Sequence, residues 1–385
     1  MAKNGYKIFD CDTHVGPDAN LLLKYLTESE KKRLSSLDSF KLTDPRSGHV
    51  EYTIGRRSYR RKLGQAEPEP VKPKAPKNEA IRKYSDDLPL EQSEVDPVER
   101  IKDMDREGVD VNLTLPSSWF GAFTAQDDAQ LESAMYRAYH RWMAEYCGAF
   151  PSRIKGVITV CFRDIEGSLK EIERCAKEDW PLAAIIYAPS TSPLDHPDLE
   201  PIWAACQHHE LSIALHTFTA MPPYAPGGLD TWDNYFIQRS VAHSWCGERN
   251  TAAMIGAGIM DRYPKLRIAP LEAGQGWLPF WMTRMDEHAK SHAKYMPELK
   301  MKPSEYVLSG RYFQGIEISE GEKVTKSVID LVGEDILMYA SDYPHRESWF
   351  PKSVETVMAW DMPDGMRRKF LWDNAIKNYS RYSAK

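Results

Sequence analysis

One pattern constrains this chain more than any other: short apolar strand signals alternate with amphipathic helical stretches almost to its end. Tyr6–His14, Val109–Pro116, Ile154–Phe162, Leu182–Tyr187, Leu211–His216, Leu266–Leu271, Tyr312–Ile318 and Ile336–Asp342 read as eight strands, each followed by helical sequence. Alternating β and α units build parallel sheets, and eight of them suit a closed (β/α)8 barrel. An open doubly wound sheet is the alternative. No glycine-rich phosphate loop follows any strand, which counts against a dinucleotide fold. The helix signals are local and explicit. Asp96-Pro97-Val98-Glu99 places an N-cap, a first-turn proline and a first-turn acid in order. Leu131, Met135, Tyr139 and Met143 recur at i+4 spacing and predict a core stripe.

With 42% hydrophobic residues, the 385-residue chain can bury one large core, and it reads as a single domain over 1–385. Thr43 to Pro89 departs from the pattern and reads as an insertion or arm within that domain. It holds the basic run Gly55–Lys62 and a stretch over Gln65–Lys77 rich in Pro, Glu and Lys. Such a segment predicts an extended arm making subunit contacts. The formal net charge of −6 without a broad basic excess speaks against nucleic acid as a partner. No apolar run approaches the roughly 18 residues that a membrane span needs. Six scattered cysteines without a CxxC, and an N-terminus leading straight into a strand, predict a cytoplasmic protein with reduced thiols.

Several strands end in groups that bind metals or move protons. The first carries Asp10, Asp12 and His14 at alternate positions, so strand periodicity would point all three one way. The fifth ends in His216, the sixth at Glu272, the seventh at Glu317 and the last at Asp342. Each alone has a plain reading, such as a solvated carboxylate or a histidine bonded to backbone. In a barrel, however, the C-terminal strand ends surround one pocket, where these groups would meet. A donor set of imidazole and carboxylate without thiolate suits Zn²⁺, Mn²⁺ or Fe²⁺. Cys11, beside Asp12, is expected in the core.

The motifs Asp10-Cys11-Asp12-Thr13-His14, Asp261-Arg262-Tyr263-Pro264, Leu271-Glu272-Ala273-Gly274 and Ser341-Asp342-Tyr343-Pro344-His345 together resemble the amidohydrolase superfamily. The branch they resemble is amidohydrolase-related family 2, the aminocarboxymuconate-semialdehyde decarboxylase-like one. The resemblance implies a distorted TIM-like barrel with a metal at the strand ends, held by Asp12, His14, His216 and Asp342. It also implies a proton-handling or substrate-polarising histidine after the fifth strand, for which His243 is the match. Asp342 would orient or deprotonate a water. The sequence departs from the branch in two places. Asp12 stands where decarboxylases of the branch often carry the first histidine of a His-x-His pair, and Glu272 ends the sixth strand instead of a histidine. More carboxylate favours Mn²⁺ or Fe²⁺ and leaves room for a second ion bridged through Glu272 or Asp342. Glu272 equally suits a structural tie between strands.

The leading expectation is therefore a metal-dependent lyase (decarboxylase) or hydrolase acting on a small carboxylate-bearing substrate. One alternative is a dinuclear non-haem iron oxygenase component of the 2-aminoisobutyrate hydroxylase type, which would need an electron-donor partner. Another is a non-catalytic scaffold subunit. Trp119, Tyr224 and Trp232, in aromatic loops after the strands, are candidate substrate contacts. The resemblance implies a homodimer or a hetero-oligomer with a related subunit.

Overall fold

The helices begin where the capping residues stand. Asp96 accepts a hydrogen bond from Val98 N at 2.8 Å, Pro97 opens the helix Pro97–Glu107, and Gly108 ends it at φ 91°. Glycine takes that left-handed conformation without the Cβ penalty other residues meet. Asp128 caps the helix Ala129–Gly148 through Gln130 N and Leu131 N, and Asp164 caps Ile165–Cys175 through Gly167 N. The stripe Leu131, Met135, Tyr139 and Met143 is buried as expected. Met143 Cε occupies the space that a side chain at Gly156 would fill.

The structure is a computed structural model, and it describes residues 5–17, 19–43, 50–52, 93–117, 128–186, 193–216, 232, 235–345 and 348–383. The strands are β1 (Phe9–Val15), β2 (Lys41–Thr43), β3 (Val50–Tyr52), β4 (Val111–Pro116), β5 (Ile154–Val160), β6 (Pro181–Ile186), β7 (Ser212–His216), β8 (Ile268–Leu271), β9 (Gln314–Gly315) and β10 (Leu337–Met338). β1, β4, β5, β6, β7 and β8 form a parallel sheet in that order. β9 and β10 pair with each other, and bridges Ile268–Tyr312 and Thr13–Tyr343 join this pair to β8 and back to β1. Cys11 N donates to Tyr339 O (3.1 Å), Asp342 N to Asp12 O (2.9 Å) and His14 N to Tyr343 O (2.6 Å), which closes the barrel. β2 and β3 pair antiparallel at the start of the predicted arm. The rest of the arm and its basic run lie outside the described residues.

Every residue of β1 and of β4 to β8 is buried. That is the expected state of parallel strands covered on both faces. Inside the barrel Gly315 is packed so closely that a Cβ would lie 2.9 Å from Leu271 Cδ2 and 3.5 Å from Cys11 Sγ. Cys11 is thus a core residue, as expected.

Two details differ from the expectation. β9 and β10 are shorter than their apolar runs suggest. Past Met338 the chain bonds to β1 through separate contacts, and at Asp342 (φ 59°) the backbone turns left-handed. Regular pairing cannot continue through such a residue. The second difference is in β1, where the register shifts between Asp10, opposite Asn112, and Thr13, opposite Thr114. This irregularity breaks the simple alternation. Asp10 consequently faces a cavity lined by Asp103, Met104 and Glu107 of the helix Pro97–Glu107, not the group formed by Asp12 and His14. Among the described residues no helix is long and apolar enough to cross a membrane.

Candidate metal centre

β1 delivers Asp12 and His14, β7 delivers His216, the residue after β8 is Glu272, and the segment after β10 carries Asp342. All five are at least nine-tenths buried. Asp12 Oδ1 lies 3.3 Å from His14 Nε2 and 3.5 Å from His216 Nε2. His14 Nε2 lies 3.1 Å from Asp342 Oδ1, and His216 Nε2 lies 3.4 Å from Glu272 Oε2. Donors sharing one cation at bond lengths of about 2.0–2.2 Å sit roughly 3–3.5 Å from one another, so these separations fit a common ion. Asp12 Oδ1, both ring nitrogens of His14 and Asp342 Oδ2 are buried without a hydrogen bond of proper geometry. Polar atoms are seldom left so in a protein interior, and a metal is one partner that satisfies them. The donor chemistry and the geometry therefore both fit a divalent cation.

Backbone strain marks the same place. Glu272 (φ 49°) and Asp342 (φ 59°) adopt left-handed conformations that carboxylate residues with a Cβ rarely take. Such strain survives only where the surroundings over-determine it, and it gathers at functional sites. The surroundings here are dense. The buried Arg100 donates from Nη2 to His14 O, and the Tyr343 hydroxyl donates to Asp103 Oδ2 at 2.5 Å.

The charges in this pocket are strongly interdependent. Burial disfavours the charged form of His14, but contacts with Asp12 and Asp342 outweigh it and push the imidazole up to about 10. Burial likewise opposes ionisation of Asp342, yet His345 and His14 hold its carboxyl well below the usual range. His216 and His14 do the same for Asp12. Glu272 goes the other way: burial, then the Asp342 charge, pushes it well above an ordinary glutamate. In the chain alone a proton on His14 offsets the carboxylates, and a bound cation would take over that role.

His243 lies on the helix Tyr235–Gly256 with Nδ1 3.0 Å from Glu272 O. Burial, then the positive Arg239 and the neighbouring His216 ring, lowers it to about 3. It is therefore a neutral imidazole whose Nδ1–H donates to the carbonyl, leaving Nε2 as a buried acceptor.

The sequence reading missed His345. Its Nδ1 lies 2.6 Å from Asp342 Oδ1, its ring stacks on His14 at 3.9 Å, and its Nε2 lies 3.3 Å from Ser117 Oγ. His14, Asp342 and His345 form a second donor group that overlaps the first. An Asp-x-x-His spacing straight after a strand end was the available signal. Glu317 joins Asp12, Asp342 and Trp349 in lining the adjoining pocket. Trp232 is partly exposed at 36%. Trp119 and Tyr224 lie outside the described residues.

Fold and site are those of a metal-dependent barrel enzyme. The chain belongs to the amidohydrolase family, whose model matches residues 9–381. It is 25% identical over 300 residues, 72% of its own length and 85% of the relative's, to a gamma-resorcylate decarboxylase of Polaromonas sp. strain JS666. The structure resembles 5-carboxyvanillate decarboxylase of Novosphingobium aromaticivorans, solved with manganese and 4-hydroxy-3-methoxy-5-nitrobenzoic acid. The TM-score is 0.69 at 20% identity, covering 98% of this chain and 97% of that one. A dihydroxybenzoic acid decarboxylase of Polaromonas sp. JS666, solved with manganese and the inhibitor 2-nitroresorcinol, gives a TM-score of 0.66 at 17% identity, covering 98% of both chains. The expected family, barrel and metal-dependent enzyme class are all borne out.

Proposed function

We propose that this chain is a manganese-dependent decarboxylase of a small hydroxylated aromatic carboxylate. The observation that carries the reading is the convergence of Asp12, His14, His216, Glu272 and Asp342 at separations of 3.1–3.5 Å. Asp12, His14, His216 and Asp342 would hold the ion, with Glu272 beside His216. The carboxylate-rich set suits a harder cation than Zn²⁺. When bound, the ion would attract the substrate carboxylate and stabilise negative charge in the transition state.

The remaining work falls to side chains. His345, with Nδ1 2.6 Å from Asp342 Oδ1, would supply a proton to Asp342, which would pass it to the ring carbon that loses CO₂. The carbon–carboxylate bond then breaks and its electron pair returns to the ring. His243, its Nδ1 committed to Glu272 O, would accept a hydrogen bond from a substrate hydroxyl at Nε2. The manganese-loaded protein should release CO₂ from gamma-resorcylate or 5-carboxyvanillate, measured directly as gas. A fully loaded protein inert toward both would overturn this substrate class.

A second reading rests on His345. The group His14, Asp342 and His345 favours a second ion, and with two irons the site would activate O₂ and need an electron-donor partner. Elemental analysis after purification without chelator separates the two. About two irons per chain with O₂ uptake supports the second reading, and one manganese with CO₂ release the first. A cytoplasmic, homodimeric protein is the accompanying proposal. Six cysteines that are all unbridged support the first part, and the family resemblance supports the second. Light scattering tests the dimer.

A further inference from the structure

We infer that Asp10 is a positioning residue, which holds the Ser341–Asp342–Tyr343 turn, and so the Asp342 carboxylate, in register with Asp12 and His14. The inference rests on the proposed metal centre but assigns a role to a residue outside it. Asp10 is 2% exposed and is turned away from the donor group by the register shift in β1. Its carboxylate accepts from Ser341 N at 3.0 Å and from Ser341 Oγ at 2.5 Å. Ser341 Oγ in turn accepts from Tyr343 N at 3.2 Å. One carboxylate on β1 thus grips both neighbours of Asp342, the first directly and the second through a hydroxyl.

That grip is placed where the backbone needs it. Asp342 sits at φ 59°, a conformation it would leave if its neighbours were free to relax. Asp342 N donates to Asp12 O at 2.9 Å, so the turn is stitched to β1 on both sides of its carboxylate. The donor set is split between these two segments, with Asp12 and His14 on one and Asp342 on the other. Its spacing is only as fixed as the link between them. Outer partners of this kind orient metal-binding groups, and their loss typically costs about 10–100-fold in metal affinity.

The test is a Mn²⁺ titration of the purified full chain, with thermal unfolding of the metal-free form alongside. Asp10→Asn keeps the shape but can accept at only one oxygen. Ser341→Ala removes the relay to Tyr343, and Ser341→Thr keeps a hydroxyl. Asp10→Asn and Ser341→Ala should each weaken Mn²⁺ binding by about 10–100-fold, the double variant should be no weaker than the worse single, and Ser341→Thr should stay near wild type. If Asp10→Asn does not fold, Ser341→Ala and Ser341→Thr carry the same expectation. A lower melting temperature with unchanged Mn²⁺ affinity would mean a purely structural role and overturn the inference alone. A wild-type chain that binds neither Mn²⁺, Fe²⁺ nor Zn²⁺ would overturn the metal centre and the inference with it.

Discussion

Among the described residues two buried clusters carry metal-capable side chains, and only one of them has the character of a site. At the strand ends stand Asp12, His14 and His216; in the helical layer stand His140, Glu171 and Cys175. The second cluster spends its donors. His140 Nε2 accepts from Thr159 N at 2.9 Å, so Nδ1 carries the proton and donates to Glu171 Oε2 at 2.9 Å. Arg174 covers both oxygens of Glu171, at 3.1 and 2.9 Å. Burial opposes ionisation of Glu171, but His140 and Arg174 outweigh it and hold the carboxyl at about 2. At the strand ends, by contrast, polar atoms on Asp12, His14 and Asp342 remain without a hydrogen bond of proper geometry and the backbone is strained. Residue type and proximity are common to both clusters. The unspent hydrogen-bonding capacity distinguishes them.

The largest expected effect comes from removing a donor at the strand ends. His216→Ala and Asp342→Ala should each lose most bound metal, and turnover with it, while the chain still folds. Metal per chain by elemental analysis checks this, and full retention in both variants would sink the ligand assignment. His243→Asn should keep the metal and slow turnover by about 10²–10⁴, the usual range for a lost acid–base or polarising group. A fall in metal content would instead make His243 a ligand of a second ion.

In the satisfied cluster the same kind of change should act on stability alone. His140→Ala leaves Thr159 N–H without its acceptor in a buried setting and takes from Glu171 Oε2 one of its donors. It should cost about 2–4 kcal/mol of unfolding free energy, with metal content and turnover per folded molecule unchanged. Denaturant unfolding and metal analysis on the same preparation check both halves. A stable His140→Ala variant with less metal would break the comparison.

Most of the barrel was legible because strands buried on both faces read as apolar runs, and because Asp96, Asp128 and Asp164 cap helices by local hydrogen bonds. The short ends of β9 and β10 were not, since their limits depend on bonds to β1, distant in sequence. Asp12, His14, His216, Glu272 and Asp342 stood out as polar ends on apolar strands. Asp10 was grouped with Asp12 and His14 because alternation cannot reveal a register shift, which belongs to the pairing with β4. His345 lies three residues past the last strand run, where a turn residue and a functional one look alike. His243 was expected to handle a proton or polarise substrate, and its burial beside Arg239 and His216 lowers it to about 3. That shift comes from packing between the helix Tyr235–Gly256 and the strand ends, which no local pattern encodes.

The smallest expected effect is at Cys175, and it bears most directly on the comparison. A cysteine binds metal as the thiolate, so a site at His140, Glu171 and Cys175 would need that thiol to ionise easily. It does not: burial pushes it well above an ordinary cysteine, Arg174 offsets this only in part, and Glu171 adds to it. Its Sγ lies 4.0 Å from Glu171 Oε2, close to the hydrogen-bond pair but contributing little to it. Cys175→Ala removes one buried sulfur with its long contact to Glu171 and leaves the hydrogen bonds of His140 and Arg174 to Glu171 in place. It should shift the unfolding free energy by only about 1 kcal/mol and leave metal per chain at the wild-type value. A variant that lost one metal ion per chain while keeping its turnover would show that the helical cluster holds an ion after all. Unsatisfied donors would then no longer separate a site from a structural knot in this fold.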